Sequence, residues 1–181
     1  MINEIIEYFR FVKATYFTKE HNNGNKVKKA HIKSTSIYMR NKHYYIMPYS
    51  QTTVGLYIGV EPITVLDDNV SDKILGKSIV DSFAFSKEEI PNPSDSDNVA
   101  KPLLKAAKVK SWRAFMSGSE SISFENIDGV IKLLPWVNGG AVGPGRGFRS
   151  NGEKDCILSA DCSAAELGKT VKKMFQDIKE L

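Results

Sequence analysis

Ile74-Leu75-Gly76-Lys77-Ser78-Ile79-Val80-Asp81-Ser82-Phe83 returns later in the chain as Glu166-Leu167-Gly168-Lys169-Thr170-Val171-Lys172-Lys173-Met174-Phe175. In both stretches apolar residues recur four apart: Leu75, Ile79 and Phe83 in the first, Leu167, Val171 and Phe175 in the second. That spacing predicts a helix with one apolar face. Gly76 and Gly168 interrupt both helices, although an interior glycine costs about 1 kcal/mol relative to alanine. Its recurrence points to packing: a missing side chain lets the helix approach a sheet, or the other copy, closely.

Working outward, more of the chain repeats in the same order. Ser36-Ile37-Tyr38-Met39-Arg40-Asn41 returns as Ser121-Ile122-Ser123-Phe124-Glu125-Asn126. Ile46-Met47-Pro48-Tyr49 matches Leu133-Leu134-Pro135-Trp136, and Asn25-Lys26-Val27-Lys28 echoes Ala107-Lys108-Val109-Lys110. The offset drifts from 82 through 85 and 87 to 92, which places a small insertion in the second copy after Pro135. The period is far longer than the roughly 20–50 residues of solenoid repeats. Two copies of a small β-rich unit fit it better.

Strand and turn signals complete each unit. Ser34–Arg40 and Tyr44–Pro48 are rich in aromatic and β-branched residues and flank Asn41-Lys42-His43 as a hairpin connection. Val54–Val60 and Ile63–Leu66 read as further strands before a helix from about Ser71 to Phe85, capped by Asn69 or Ser71. In the second unit Glu120–Glu125 and Val130–Leu134 flank Asp128-Gly129, a strong hairpin signal. Asp155–Ser159 reads as a strand, and Asp161 or Ser163 caps a last helix. Residues 2–13 space Ile2, Ile5, Ile6, Phe9 and Val12 as an amphipathic helix. Pro91-Asn92-Pro93-Ser94-Asp95-Ser96-Asp97 cannot continue a helix, and Pro102 to Lys108 reads as a short helix with its proline in the first turn. The expected fold is α+β. Two related β-rich units, each closed by a C-terminal helix, pack as one pseudo-symmetric domain over 1–181. The units span 26–87 and 108–179 and are joined by a linker at 88–107.

Length and composition set the class. The 181 residues are 41% hydrophobic and 25% charged, an ordinary globular balance for one packed core. No apolar run approaches the ~20 residues of a membrane span, and the start lacks the basic and apolar regions of a signal peptide. Cys156 and Cys162 have neither metal-ligand nor redox spacing, so free thiols in a reducing cytoplasm are expected. Net charge is +4, unevenly placed. Residues 61–98 carry nine acids against three lysines, whereas residues 99–181 carry thirteen bases against nine acids. An acidic stretch in a basic chain can steer a basic partner.

Catalytic signals are sparse. Asn138-Gly139-Gly140-Ala141-Val142-Gly143-Pro144-Gly145-Arg146-Gly147-Phe148-Arg149 has P-loop glycine spacing at Gly140 and Gly145, but Arg146 and Gly147 replace the Lys and Ser/Thr that hold phosphate and magnesium. No helix starts there to supply a dipole. His21, His31 and His43 lack a matching nucleophile or metal spacing. Cys162, near a helix start, would have a lowered pKa, yet no general base accompanies it. No enzyme, metal or cofactor is expected. For nucleic acid, Lys26, Lys28, Lys29 and Lys33 beside Tyr38, Tyr44 and Tyr45 form a possible grip, and Lys101, Lys105, Lys108, Lys110 and Arg113 a second basic cluster. No nucleic-acid motif accompanies either.

Two copies, each with strands, a Pro-Tyr or Pro-Trp after a strand and a Leu-Gly-Lys helix, resemble the bacterial contact-dependent growth inhibition immunity proteins over roughly residues 26–179. The resemblance implies a cytoplasmic antidote that binds the toxic C-terminal domain of a delivered effector, commonly a nuclease, and blocks it. It carries over no binding residues. Asp67, Asp68, Asp72, Glu88 and Glu89 of the acidic segment, and Arg146 and Phe148 of the Gly-rich loop, are the expected contacts.

Overall fold

The computed structural model describes residues 32–94, 97–150, 155–159 and 161–179. The expected helix at 2–13 and the Asn25–Lys28 echo lie outside these residues. Among the described residues eight strands run in chain order: β1 Ile32–Arg40, β2 His43–Gln51, β3 Tyr57–Gly59, β4 Thr64–Asp67, β5 Glu120–Ile127, β6 Val130–Asn138, β7 Phe148–Ser150 and β8 Cys156–Leu158. Among the same residues four α-helices accompany them: α1 Asp72–Ser82, α2 Lys101–Ala106, α3 Trp112–Met116 and α4 Ala164–Lys179. The architecture is α+β around one antiparallel sheet.

Two hairpins form the sheet's middle. Asn41 and Lys42 take φ of 48° and 60°, the left-handed pair that a tight β1–β2 turn needs. Asp128 and Gly129 do the same between β5 and β6, at 51° and 92°. The sheet order is β3-β2-β1-β5-β6-β7, with β4 also on β2 and β8 also on β6. At the centre β1 pairs with β5, and Ile37 stands opposite Ile122. Ile37 faces Ile46 across its hairpin, whereas Ile122 faces Pro135. Pro48 and Pro135 therefore sit two residues apart relative to the central pair. A shift of two keeps the same sheet face, so the side-chain pattern survives it.

One face of the sheet carries Ile37, Tyr44, Ile46, Ile122, Phe124, Ile131 and Leu133 against Leu75, Ile79 and Phe83 of the first helical stretch and Leu167, Val171 and Phe175 of α4. The periodicity behind both apolar helix faces is thus realised. Ser71 caps α1, its Oγ accepting from the Ile74 amide at 3.3 Å, and Ser163 Oγ accepts from the Glu166 amide at 3.2 Å.

The opposite face is also covered. Tyr38, Tyr45, Met47, Tyr49, Trp136 and Phe148 pack against Leu103 and Leu104 of α2 and Phe115 and Met116 of α3. The chain between the hairpins, after the Pro-rich stretch, is thus a structural layer. Pro102 lies in the first turn of α2 as expected, while α3 went unread in the sequence. The strand expected at Val54–Val60 shrinks to Tyr57–Gly59. Gly55, at φ 82°, donates to Thr52 O, and Thr52 donates to Leu56 O, so a turn takes the first residues.

Candidate partner-binding surface

β2 positions most of the expected contact acids. At its first residue, His43 Nδ1 donates to the Asn41 carbonyl at 2.7 Å, and Nε2 lies 3.1 Å from Asp67 Oδ1. The Asp68 amide donates to Lys42 O at 2.9 Å, tying the end of β4 to the hairpin turn. Asp72 opens α1, where the helix dipole favours an anion. Its Oδ1 is 2.9 Å from Lys172 Nζ, which also donates to Val70 O at 2.5 Å.

Two of these acids, Asp68 and Asp72, lie near enough to Tyr44 to act on its hydroxyl, while Asp67 faces His43. Burial pushes the Tyr44 hydroxyl pKa up, and Asp68, Asp72 and Glu120 push it further. Glu120 escaped the sequence reading. It opens β5 far along the chain, and pairing with Met39 of β1 carries it to this end of the sheet. The only signal that could have found it was the antiparallel register of the two central strands.

Glu88 and Glu89 do not join this group. Gln51 donates to Lys87 O at 2.8 Å and Ile90 to Gln51 O at 3.0 Å, which fixes residues 87–90 beside the last residue of β2. A nine-residue strand spans roughly 27 Å. The acidic segment is therefore split between the two ends of β2. Glu88 lies with Glu125 near Tyr57, whose pKa rises to about 12, first through burial and then through those two carboxylates. Glu125 itself is pushed up by burial against the pull of Lys132, and Lys132 pairs with Asp155 at 3.1 Å.

The Gly-rich segment is folded shut. Gly139 donates to Gly147 O at 2.8 Å and Gly147 to Gly140 O at 2.7 Å. Gly140, Gly143 and Gly147 all have positive φ. Asn138 Nδ2 donates to Met116 O at 2.7 Å and Ser119 O at 2.6 Å, and its Oδ1 accepts from the Gly140 amide at 2.8 Å. The amides of 139, 140 and 147 are thus spent inside the protein, unlike those of a phosphate cradle. Arg146 is exposed. Phe148 is not available as a contact: it is only 6% exposed, with its ring 5.7 Å from that of Tyr38. Its place in β7 turns it into the core on the α2–α3 side, a direction invisible when the loop is read as irregular.

Other expected groups fall away on the same physical grounds. Tyr38, Tyr44 and Tyr45 are buried, so they offer no stacking surface to a base. Cys162 has its pKa raised by burial and by Glu166, opposite to the lowering expected at a helix start. Among the described residues no group of three His, Cys, Asp or Glu is arranged to hold a metal. No described helix is long and apolar enough to cross a membrane.

A family model described as CDI immunity protein matches residues 33–177. Two solved structures share the fold. A Neisseria meningitidis protein of unknown function superposes with a TM-score of 0.67 at 16% identity, covering 84% of this chain and 99% of that one. A CdiA-CT/CdiI toxin and immunity complex from Yersinia pseudotuberculosis gives 0.64 at 17% identity, covering 81% and 97%. No curated protein matches the chain.

Proposed function

This chain belongs to the family of CDI immunity proteins, and from that premise we propose that it is a non-enzymatic antidote. It binds the toxic C-terminal domain of a contact-dependent growth inhibition effector in the cytoplasm and blocks it by occlusion. The Yersinia pseudotuberculosis structure that shares its fold is a toxin and immunity complex, which supports a partner of that kind. We take the toxin to be a nuclease. A nuclease must present cations to hold phosphates, and an acidic surface on the antidote complements them.

The observation that carries this reading is the gathering of Asp68, Asp72 and Glu120 around Tyr44, with Asp67 beside it on His43. Arg146 lies in the loop after β6, at the same end of the sheet. The pairing of Tyr38 with Tyr45, of Tyr38 with Ser121 and of Ser121 with Trp136 supports that placement. Glu88 and Glu89 would engage only a partner large enough to reach the far end. An interface of standard size, about 1,600 Å² in total, has that reach.

The same reading takes the chain as one domain built from two related units, 26–87 and 108–179. What supports it is the parallel order of parts: a hairpin, two short strands on its outer strand, and a helix, with Ile37 opposite Ile122 where the units meet.

The test is the triple variant Asp67→Lys, Asp68→Lys, Asp72→Lys against the cognate toxin C-terminal domain. Association should slow at least about tenfold at low ionic strength, and the gap should narrow as salt rises. Unchanged association and unchanged protection would remove this surface as the contact.

A further inference from the structure

The surface layer formed by α2 and α3 carries a charge pattern that the antidote reading does not use. Lys101, Lys105, Lys108, Lys110 and Arg113 are all exposed, and no Asp or Glu occurs between Asp97 and Glu120. Five cations therefore fall within residues 101–113 without a carboxylate from their own segment to neutralise them. They are mounted on a fixed base, because Leu103, Leu104, Phe115 and Met116 beneath them are buried in the core. Arg40 ties the layer down, with Nε donating to Phe115 O and Nη2 to Ala114 O, both at 3.2 Å.

We infer that this layer is a platform for the sugar-phosphate backbone of single-stranded nucleic acid. Three features select that occupant. Lys101 and Lys105 are one helical turn apart, about 6 Å along the axis, so their ammonium groups can follow consecutive phosphates as point charges. Trp112 stacks on Phe115 at 5.5 Å and 23° but stays partly exposed, which leaves indole surface for a base. Apart from the part-exposed Trp112, the side chains that this layer exposes most are cationic or small, whereas the core of a protein interface is depleted in charge. Among the described residues the exposed large hydrophobic side chains are Val54, Val65, Ile74, Val80, Phe85, Val130, Val142 and Ile157, none of which lies between 98 and 118. The inference does not rest on the antidote reading, and it uses other residues than the Lys26–Tyr45 region.

The experiment is fluorescence anisotropy of a labelled 20-nucleotide single strand with the full chain. Four neutralised phosphates predict about a 50-fold loss of affinity between 50 and 200 mM salt. Lys101→Glu, Lys105→Glu, Lys108→Glu, Arg113→Glu should abolish binding at 50 mM salt while thermal unfolding is unchanged, since every substituted side chain is exposed. Trp112→Ala should weaken the single strand about fivefold or more and a duplex much less. No binding at 50 mM salt, binding indifferent to salt, or wild-type binding by the charge variant would overturn the inference. Equal competition by polyglutamate of matched charge would do so too, and would assign the platform to an acidic protein. The acid-reversal variant, assayed with the toxin domain, reports separately on the antidote reading.

Discussion

Gly76 and Gly168 lie against each other across the α1–α4 contact. A Cβ on Gly76 would stand 3.0 Å from the Gly168 backbone nitrogen and would overlap the carbonyl of Ala164. A Cβ on Gly168 would overlap the carbonyl of Asp72 and stand 3.0 Å from its Cα. The recurring glycine is therefore a condition of helix packing. Backbone meets backbone, so no flexible side chain can move aside.

Alanine at either glycine should destabilise the protein. Better helix propensity returns about 1 kcal/mol, but a methyl group forced into backbone costs about 3 kcal/mol, the upper end for overpacking, so a net loss of about 2 kcal/mol is expected. Urea unfolding of Gly76→Ala and Gly168→Ala measures it. A midpoint equal to or above the wild type would show that the helices can separate freely.

Leu103→Ala tests whether the α2–α3 layer is structural. Leu103 is fully buried, and emptying such a site costs about 2–5 kcal/mol. A tether lying loosely on the sheet would lose almost nothing in the same unfolding experiment.

Asn138→Ala should release the Gly-rich loop. It removes two hydrogen bonds from the side-chain amide to Met116 O and Ser119 O, and one to its oxygen from Gly140. Faster amide hydrogen exchange at Gly139 and Gly147, with the central strands unaffected, is the expected signature. Unchanged exchange there would mean that the glycines hold the loop without Asn138.

Glu125 gives the fold a pH signature. Its folded pKa is raised, chiefly by burial, so between the unfolded value near 4.5 and the raised value the native state holds more protons than the unfolded chain. Stability contributed by Glu125 is then greatest below the unfolded pKa and falls as pH rises through that window. Glu125→Gln should flatten the stability–pH curve above pH 4.5. A wild-type curve that rises more steeply than the variant's across this window would reverse the assignment.

The legible parts of this chain were those decided within a few residues. Leu75, Ile79 and Phe83 announce their helix because a 3.6-residue turn brings them together whatever else the chain does. Asn41-Lys42-His43 and Asp128-Gly129 announce their hairpins because each puts polar turn residues between two strand-like runs, and Asn, Asp and Gly tolerate left-handed backbone better than most. Ser71 and Ser163 act as caps through their immediate neighbours. Fold class and family followed from such local evidence and from its repetition.

Tertiary structure alone decided what long-range pairing controls. It moved Glu120 beside Asp68 and Asp72, and separated Glu88 from them by the length of β2. It turned Phe148 inward and laid Lys101 to Arg113 across the second face of the sheet. Antiparallel register relates residues as far apart as Met39 and Glu120, and sequence spacing carries no direct record of it. Local periodicity shows which face of an element is apolar, but which charges share a surface depends on how the elements are paired.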